Sequence, residues 1–383
     1  MTFNITRRAI KLPPVTYYGI LKNDIGYINI NEFTEDCAKD VRRAFVDLKQ
    51  KGAKKLVLDL RDNGGGSVPE AINIINMFVP RDLTLLTMRG KMKRANSEYK
   101  TTTEPIDTVM PIVVMVNENT ASSSEITAGV MQDLDRGVII GQRTYGKGLV
   151  QTTMDLPYNA QMKLTTSKYY IPSGRCIQAI DYKNKNGGYT EHITDSLTKV
   201  FYTAGGREVR DGGGIKPDVE SKADTLANIV YYLMNMRDSS EVVFNYEYDY
   251  IQAHPTIASP AEFSLTDEDF DELKTRVMAS NFKYDKQTEK YLQELKKLAQ
   301  FEGYYDDAKA EFDALEAKLT HNLEKDLEIN REVIKRLVGR EIVQNYYYDA
   351  GAMEFSLRSD PQTQQAIELL ENEQEYNKIL GNK

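Results

Sequence analysis

Residues 117–151 read NENTASSSEITAGVMQDLDRGVIIGQRTYGKGLVQ, and the rest of the chain is interpreted around this stretch. Three consecutive serines end in Glu125, and from Ile126 onward apolar residues recur every four positions, as on one face of a helix. The run VIIG at 138–141 is apolar enough for a buried strand, and Lys147 follows it between two glycines. We therefore predict a strand, a serine corner, a helix and a second strand that leads to a lysine.

The residues before this stretch also predict strands that alternate with helices. KKLVLDL at 54–60 and PIVVMV at 111–116 are near-continuous apolar runs, which are typical of strands buried on both faces of a sheet. Residues 35–51 carry apolar side chains at helical spacing, and Ser67 begins a second helix with the form of a capping box. Strand, crossover helix and strand in this order predict an α/β core.

Other segments of the chain depart from this alternation of strands and helices. Residues 3–12 alternate enough to predict a strand, and the polar segment 89–107 predicts an exposed loop. From Asp224 onward Gly and Pro become rare, and no motif that we can assign is present. The apolar spacing of this region predicts helices over 223–237, 267–280, 287–301, 305–319, 324–350 and 362–380.

Composition excludes some classes of function. The chain has 383 residues and a net charge of −8, which weighs against nucleic acid or anionic lipid as the main partner. His192, His254 and His321 lack metal-ligand spacing, so neither a zinc site nor a histidine-activated serine is predicted. Cys37 and Cys176 allow one disulfide, but two unpaired buried thiols fit the sequence better.

Ser122 has two interpretations. It has capping-box spacing to Glu125, and a serine in that position commonly does no more than begin a helix. A serine on a sharp turn from a buried strand into a helix is also held rigidly with its hydroxyl exposed, as in the nucleophile elbow of hydrolases. Backbone N–H groups at such a helix start are unpaired and can bind an oxyanion, with that of Ser123 as the natural donor.

A second oxyanion donor is expected in RDNGGG at 61–66. Three glycines between a buried strand and a helix either make a tight turn or let the backbone approach a ligand closely. Gly66 is our first choice for the donor and Gly65 the second.

Lys147 is the candidate base because no histidine is well placed to activate Ser122. Partial burial beside Tyr145 and the apolar strand would disfavour its charged form and let it accept a proton. The alternative is an ordinary solvated lysine. GQRTYGKG at 141–148 nearly fits a phosphate-binding loop, but Gly148 stands where that loop needs Ser or Thr, so nucleotide binding is not predicted.

Four segments together resemble the C-terminal processing peptidases, or tail-specific proteases, of serine peptidase family S41. They are VLDLRDNGGG, VNENTASSSEITAGVMQD, GQRTYGKGLVQ and GGGIKPDV, in this order between residues 17 and 219. Each segment alone would be a weak signal, whereas all four at these spacings are a specific one.

The resemblance implies a role for each matching residue. Ser122 would be the nucleophile and Lys147 the general base of an acyl-transfer reaction without metal or cofactor. Gln151 would orient the lysine, since residues four apart on a strand share a face. Asp133 matches an acidic position that we interpret as supporting structure.

The resemblance also implies the architecture and location. It predicts a ClpP/crotonase-like α/β catalytic core over 17–222 and a mainly α-helical C-terminal region over 223–383. A PDZ domain precedes the core in this family, and residues 1–16 are interpreted as the remnant of its last strand. A periplasmic or cell-envelope location is expected, although the opening MTFNITRR has no apolar segment of a signal peptide.

The expected partners are polypeptides with exposed C-terminal tails, which would be unfolded or flexible and cut near their C-termini. The C-terminal helices are a candidate surface for homo-oligomers. Two rival functions remain: a catalytically silent peptide-binding or assembly module on the same fold, and an acyl-CoA enzyme of crotonase type. Intact Ser122, Lys147 and Gln151 argue against the first, and the second would not need a Ser–Lys pair.

Overall fold

The computed structural model describes residues 5–8, 10–179, 195–222, 225–235, 240–320 and 322–381. The chain divides into two compact units. Unit 1 comprises Met1–Ala223 and Asp360–Lys383, and unit 2 comprises Asp224–Ser359. This division differs from the predicted helical region 223–383, because the end of the chain returns to unit 1.

The described strands all lie in unit 1, before residue 223, and so do the first three α-helices. The strands are β1 (Tyr18–Lys22), β2 (Ile25–Asn29), β3 (Lys55–Asp59), β4 (Thr84–Gly90), β5 (Ser97–Lys100), β6 (Ile112–Val116), β7 (Val138–Gly141), β8 (Leu149–Leu156), β9 (Ala160–Tyr170), β10 (Val200–Tyr202), β11 (Glu208–Arg210) and β12 (Val219–Glu220). The helices are α1 (Cys37–Gln50), α2 (Val68–Ile75) and α3 (Ser123–Asp133).

The main sheet has six strands in the order β1-β2-β3-β6-β7-β12. β1 is antiparallel to β2, and the other neighbouring pairs are parallel. Every residue of β6 and β7, and every residue of β3 after Lys55, is buried, which explains why these strands read as near-continuous apolar runs. The apolar sides of α1, α2 and α3 pack into the same core, so the predicted α/β class is confirmed.

A second sheet, in the order β5-β4-β9-β8, is antiparallel throughout. It corrects the prediction of a loop over 89–107, because β5 lies inside that segment and pairs with β4. An exposed edge strand needs backbone partners and no apolar pattern, so its polar sequence did not reveal it. β10 and β11 form a separate pair.

The predicted strand over 3–12 is not present at the residues that can be described there, 5–8 and 10–12. Ile5, Ile10 and Leu12 are all strongly exposed. An alternating sequence forms a strand only where a neighbouring edge supplies hydrogen bonds, and no described strand pairs with this segment.

Unit 2 is helical and has its own apolar cluster. Its helices are α4 (Asn228–Met234), α5 (Val242–Ala253), α6 (Asp267–Ala279), α7 (Gln287–Glu302), α8 (Lys309–Leu319), α9 (Leu323–Ile329) and α10 (Arg331–Leu357). The sequence did not predict α5. It also joined α9 to α10, which are separated at Asn330, where the side-chain amide donates to the Asp326 carbonyl (2.7 Å).

The chain then returns to unit 1 as α11 (Pro361–Glu371) and α12 (Glu373–Ile379). The predicted single helix over 362–380 is therefore interrupted, with Asn372 capping α12. Buried Gln362 donates to the carbonyls of Val116 and Ile140 (both 3.2 Å), and the Tyr376 hydroxyl bonds both backbone groups of Ile112 (2.9 Å each). We call residues 360–381 the C-terminal strap.

Two other features concern the chain as a whole. None of the helices in the described ranges combines the length and hydrophobicity needed to cross a membrane. Cys37 and Cys176 are both free, as interpreted from the sequence, with Cys37 buried and Cys176 half-buried.

Candidate active site

The order of the main sheet brings three sequence motifs to one edge. β3, β6 and β7 are adjacent and parallel, so their carboxyl ends lie together at Asp59, Val116 and Gly141. RDNGGG follows β3, the serine corner follows β6, and the segment with Lys147 follows β7. Ligand sites in α/β folds commonly form at this edge, because several loops converge there.

Ser122 is the residue at which the chain turns from β6 into α3. It is the N-cap of the helix and has φ 58° and ψ −117°, a conformation that residues with a Cβ rarely adopt. Its side chain is half-buried, whereas Ser123 and Ser124 are fully buried. The predicted sharp corner is therefore present at Ser122.

Gly65 and Gly66 lie directly against this corner. A Cβ on Gly65 would come within 2.7 Å of both Ser122 Cβ and the Ala121 carbonyl oxygen, so only glycine fits. The Gly65 N–H donates to Asn63 Oδ1 (2.9 Å) and is already used. Gly66 is exposed, and its N–H has no acceptor among the described residues. This geometry favours the first choice, Gly66, over Gly65.

Ser123 supplies the other expected donor. Its backbone N–H is at the first position of α3 and has no acceptor in the described part of the chain. Its hydroxyl donates to the Gly66 carbonyl (2.8 Å), which ties the helix start to the glycine loop. Two free N–H groups, those of Gly66 and Ser123, thus flank Ser122.

Lys147 lies in the segment between β7 and β8 and is half-buried. Its backbone is held at both ends. The N–H donates to Glu125 Oε2 (2.8 Å), and the carbonyl accepts from the Tyr169 hydroxyl. Within the described structure, Lys147 Nζ and Ser122 Oγ are not hydrogen-bonded to each other.

Gln151 is the third residue of β8, four positions after Lys147. Its side chain is exposed on β8 and makes no hydrogen bond to Lys147 in the described ranges. The argument that residues four apart on a strand share a face does not apply here. β8 begins only at Leu149, and its register with β9 shifts between Val150 and Gln151.

Glu125 connects the segments of Ser122 and Lys147, which the sequence did not predict. Its side chain is fully buried and accepts from four donors: the N–H groups of Ser122 (2.9 Å), Gly146 (2.7 Å) and Lys147 (2.8 Å), and the Thr144 hydroxyl (2.6 Å). Burial raises the pKa of Glu125, and these hydrogen bonds oppose the rise. The Ser122–Glu125 spacing was visible, but it predicted only a helix cap.

Tyr169 was also missed. This buried residue of β9 lies with its hydroxyl against the carbonyls of Lys147 and Ser122, the latter at 3.4 Å. Burial raises the pKa of its phenol well above the ordinary value. Nothing in the local sequence MKLTTSKYYI distinguishes Tyr169 from its neighbour Tyr170.

Asp133 lies at the other end of α3, away from the serine corner. It is fully buried, pairs with Arg175 (Oδ1 to Nη2, 2.8 Å) and accepts from the Ser173 N–H (2.9 Å). Burial raises the pKa of Asp133, and Arg175 opposes the rise. These contacts agree with a supporting position, as predicted.

The described residues contain no cluster of three or more His, Cys, Asp or Glu side chains that could hold a metal ion. His192 and His321 lie outside the described residues. The segments that meet here carry a hydroxyl at Ser122, an amine on Lys147 and the two free N–H groups of Gly66 and Ser123, a set suited to acyl transfer.

Comparison with protein families gives two matches. Residues 24–194 match the model described as peptidase family S41, and residues 229–370 match one described as "Probable PDZ-protease, C-terminal helical domain". The second match covers a region in which the sequence reading found no motif.

Several known proteins are similar to part of this chain. A chloroplastic C-terminal processing peptidase of Tetradesmus obliquus is 35% identical over 192 residues, which are 47% of this chain and 41% of that protein. A carboxy-terminal-processing protease of Bartonella bacilliformis is 36% identical over 184 residues, 47% of this chain and 42% of that protein. The matched segment thus spans less than half of these curated relatives.

Among solved structures, a photosystem II D1 C-terminal processing protease aligns with a TM-score of 0.42 and 28% identity. The alignment covers 58% of this chain and 52% of that structure.

Proposed function

We propose that the chain, in which residues 24–194 match the model of peptidase family S41, is a serine endopeptidase with a Ser122–Lys147 dyad. Its substrates would be unfolded or flexible polypeptides, cut near their C-termini. The observation that carries the proposal is the strained Ser122 corner flanked by the free N–H groups of Gly66 and Ser123. A serine that only capped a helix would need neither feature.

The proposed mechanism gives each of these residues a step. Lys147 Nζ takes the proton from Ser122 Oγ, and the alkoxide attacks the scissile carbonyl carbon. The oxyanion accepts hydrogen bonds from the Gly66 and Ser123 N–H groups. The protonated lysine then gives its proton to the departing amine, and water, deprotonated by Lys147, hydrolyses the acyl-enzyme. Because the dyad side chains are not hydrogen-bonded in the structure, the mechanism requires the Ser122 hydroxyl and the Lys147 amine to come together before proton transfer.

The test is cleavage of an intrinsically unstructured protein, followed by mass spectrometry of the fragments. Ser122→Ala and Lys147→Ala should each lower kcat/KM by about 10³-fold or more, since removal of either member disables the dyad. Exposed Ser97 and Lys168 provide the controls Ser97→Ala and Lys168→Ala, which should cleave as wild type does. Cleavage that survives in both dyad variants would refute the assignment.

A second readout separates an enzyme from a silent module. A fluorophosphonate probe should label the wild-type chain at Ser122, because it reacts with activated serines. If the wild-type chain binds the unstructured protein but neither cleaves it nor reacts with the probe, the silent peptide-binding module is the better description.

Two further proposals concern the location and the self-association of the protein. A periplasmic or cell-envelope location would be excluded if cell fractionation found the protein only in the cytoplasm. Self-association through the C-terminal helices would be excluded if light scattering showed a monomer at all concentrations.

A further inference from the structure

The two members of the proposed dyad stand in different loops, and few side chains connect those loops. Ser122 precedes α3, whereas Lys147 follows β7. Glu125 Oε2 accepts from the backbone N–H of both residues (2.9 and 2.8 Å). The Tyr169 hydroxyl lies against the backbone carbonyls of the same two residues. One carboxylate and one phenol therefore connect the backbones of nucleophile and base.

The two contacts of the Tyr169 hydroxyl are not equivalent. A phenol has one proton to donate, and the contact with the Lys147 carbonyl is the shorter one. The Ser122 carbonyl, at 3.4 Å, already accepts from the Ile126 N–H of α3 (2.9 Å). Tyr169 also donates its backbone N–H to the Gly148 carbonyl (3.2 Å). Its hydrogen bonds thus mainly hold the turn at Lys147 and Gly148.

Tyr169 takes part in none of the chemical steps of the proposed mechanism. Its phenol is buried at 2% exposure, and burial keeps its pKa well above the ordinary value. It therefore remains a hydrogen-bond donor and does not serve as a base. The role that fits the contacts of Tyr169 is to hold the Lys147 backbone in place. Effective proton transfer depends on such positioning.

We propose that Tyr169 is a positioning residue whose hydroxyl holds the Lys147 backbone against the Ser122 corner, so that the lysine amine can reach the serine hydroxyl. This inference rests on the proposed Ser122–Lys147 function. It concerns the placement of the base, because Ser122 is also held by α3, whereas the Lys147 carbonyl depends on the phenol.

Tyr169→Phe is the direct test, because it removes the hydroxyl and keeps the ring. Tyr376→Phe is the matched control. Tyr376 is equally buried in unit 1, and its hydroxyl bonds Ile112, at the start of β6 and so at the opposite edge of the sheet from the serine corner. Tyr169→Phe loses the hydrogen bond to the Lys147 carbonyl, and Tyr376→Phe loses the two with Ile112, so both should melt at a lower temperature than wild type.

Turnover should distinguish the two variants. With active sites titrated by the fluorophosphonate, Tyr169→Phe should lower kcat per site by about 10- to 100-fold with KM within twofold, since positioning affects the chemical step. Tyr376→Phe should leave kcat per site unchanged. Equal kcat per site in the two variants would overturn the proposal and leave Tyr169 with a purely structural role.

Replacement of Tyr169 by 4-aminophenylalanine provides the rescue arm. The amino group is a donor at the position of the hydroxyl, so kcat should return to within a few-fold of wild type. This arm also decides the matter if Tyr169→Phe does not fold, because a folded 4-aminophenylalanine protein with low kcat would overturn the proposal. Wild type and Ser122→Ala are measured in parallel. Failure of the proposed function would appear as an inactive wild type, and failure of the Tyr169 inference as an active wild type with an unaffected Tyr169→Phe.

Discussion

Ser122 and Ser67 show how one sequence pattern takes two backbone conformations. Both serines precede a helix, with a glutamate three residues later. Ser67 has φ −67° and ψ 118°, the extended conformation usual for an N-cap. Ser122 instead has φ 58° and ψ −117°, a conformation that costs about 1–3 kcal/mol. Gly65, which leaves room beside it, and Glu125, which accepts its N–H, hold the chain in this conformation.

Glu247 in unit 2 predicts a pH-dependent stability. It lines a cavity of about 290 Å³ together with Glu241 and Glu341, where burial and, to a lesser degree, Glu341 raise its pKa from 4.5 to about 7. The folded state therefore holds this proton more tightly than the unfolded state does. The stability of the protein should fall as pH rises from 4.5 to 7 and then level off.

Glu247→Gln measures this effect. The variant should equal wild type at pH 4 and be more stable at pH 8 by about 1–3 kcal/mol, a range reduced for partial solvent screening. Urea unfolding at each pH gives the difference. Glu341→Gln should recover only part of it, because burial is the larger cause. A difference that did not depend on pH would contradict the prediction.

The C-terminal strap is a helical element that makes hydrogen bonds to strands of the main sheet. Asp360 caps α11 and pairs with Arg61 (2.6 Å), the first residue of the glycine loop. Two residues later, Gln362 occupies space beside Gly141, where a Cβ would lie 2.4 Å from its Nε2. The strap thus contacts the carboxyl ends of β3, β6 and β7, the same strand ends that carry the candidate site.

Gln362→Ala should destabilise unit 1 by about 1–3 kcal/mol, because it takes a buried hydrogen-bond donor from the Val116 and Ile140 carbonyls. Gln364 is exposed on the same helix, so Gln364→Ala is the matched control, with an expected change within about 0.5 kcal/mol. Chemical unfolding followed by circular dichroism supplies both values. Equal effects of the two substitutions would show that the buried amide contributes nothing.

At the scale of the whole molecule, each unit has an apolar core of its own. The core of unit 1 surrounds the main sheet, and that of unit 2 is formed by its helices and the segments between them. A separate core can support separate cooperative unfolding. We therefore expect two transitions when the chain is heated in a calorimeter.

Phe45 and Phe270 test this expectation with the same substitution in each core. Both side chains are fully buried, Phe45 in unit 1 and Phe270 in unit 2. Phe→Ala costs about 3–5 kcal/mol in a packed core, so each variant should lower the temperature of one transition and leave the other in place. A single transition that moves in both variants would mean that the two units unfold together.

The sequence alone determined the features that depend on neighbouring residues. Apolar runs predicted β3, β6 and β7, and helical spacing predicted α1, α2 and α3, because such periodicity is a local property. The roles proposed for Ser122, the glycine loop and Lys147 likewise come from short motifs. The edge strand β5 and the helix α5 lacked such a signal and were missed.

Only the tertiary structure decided which residues meet. Glu125 and Tyr169 connect Ser122 and Lys147 because strand order brings β9 and two separate loops to one place, and no local pattern encodes that order. Gln362 reaches Val116 from 246 positions away for the same reason. A buried carbonyl or N–H needs a partner wherever the fold places one, so its partner is set by packing and not by sequence distance.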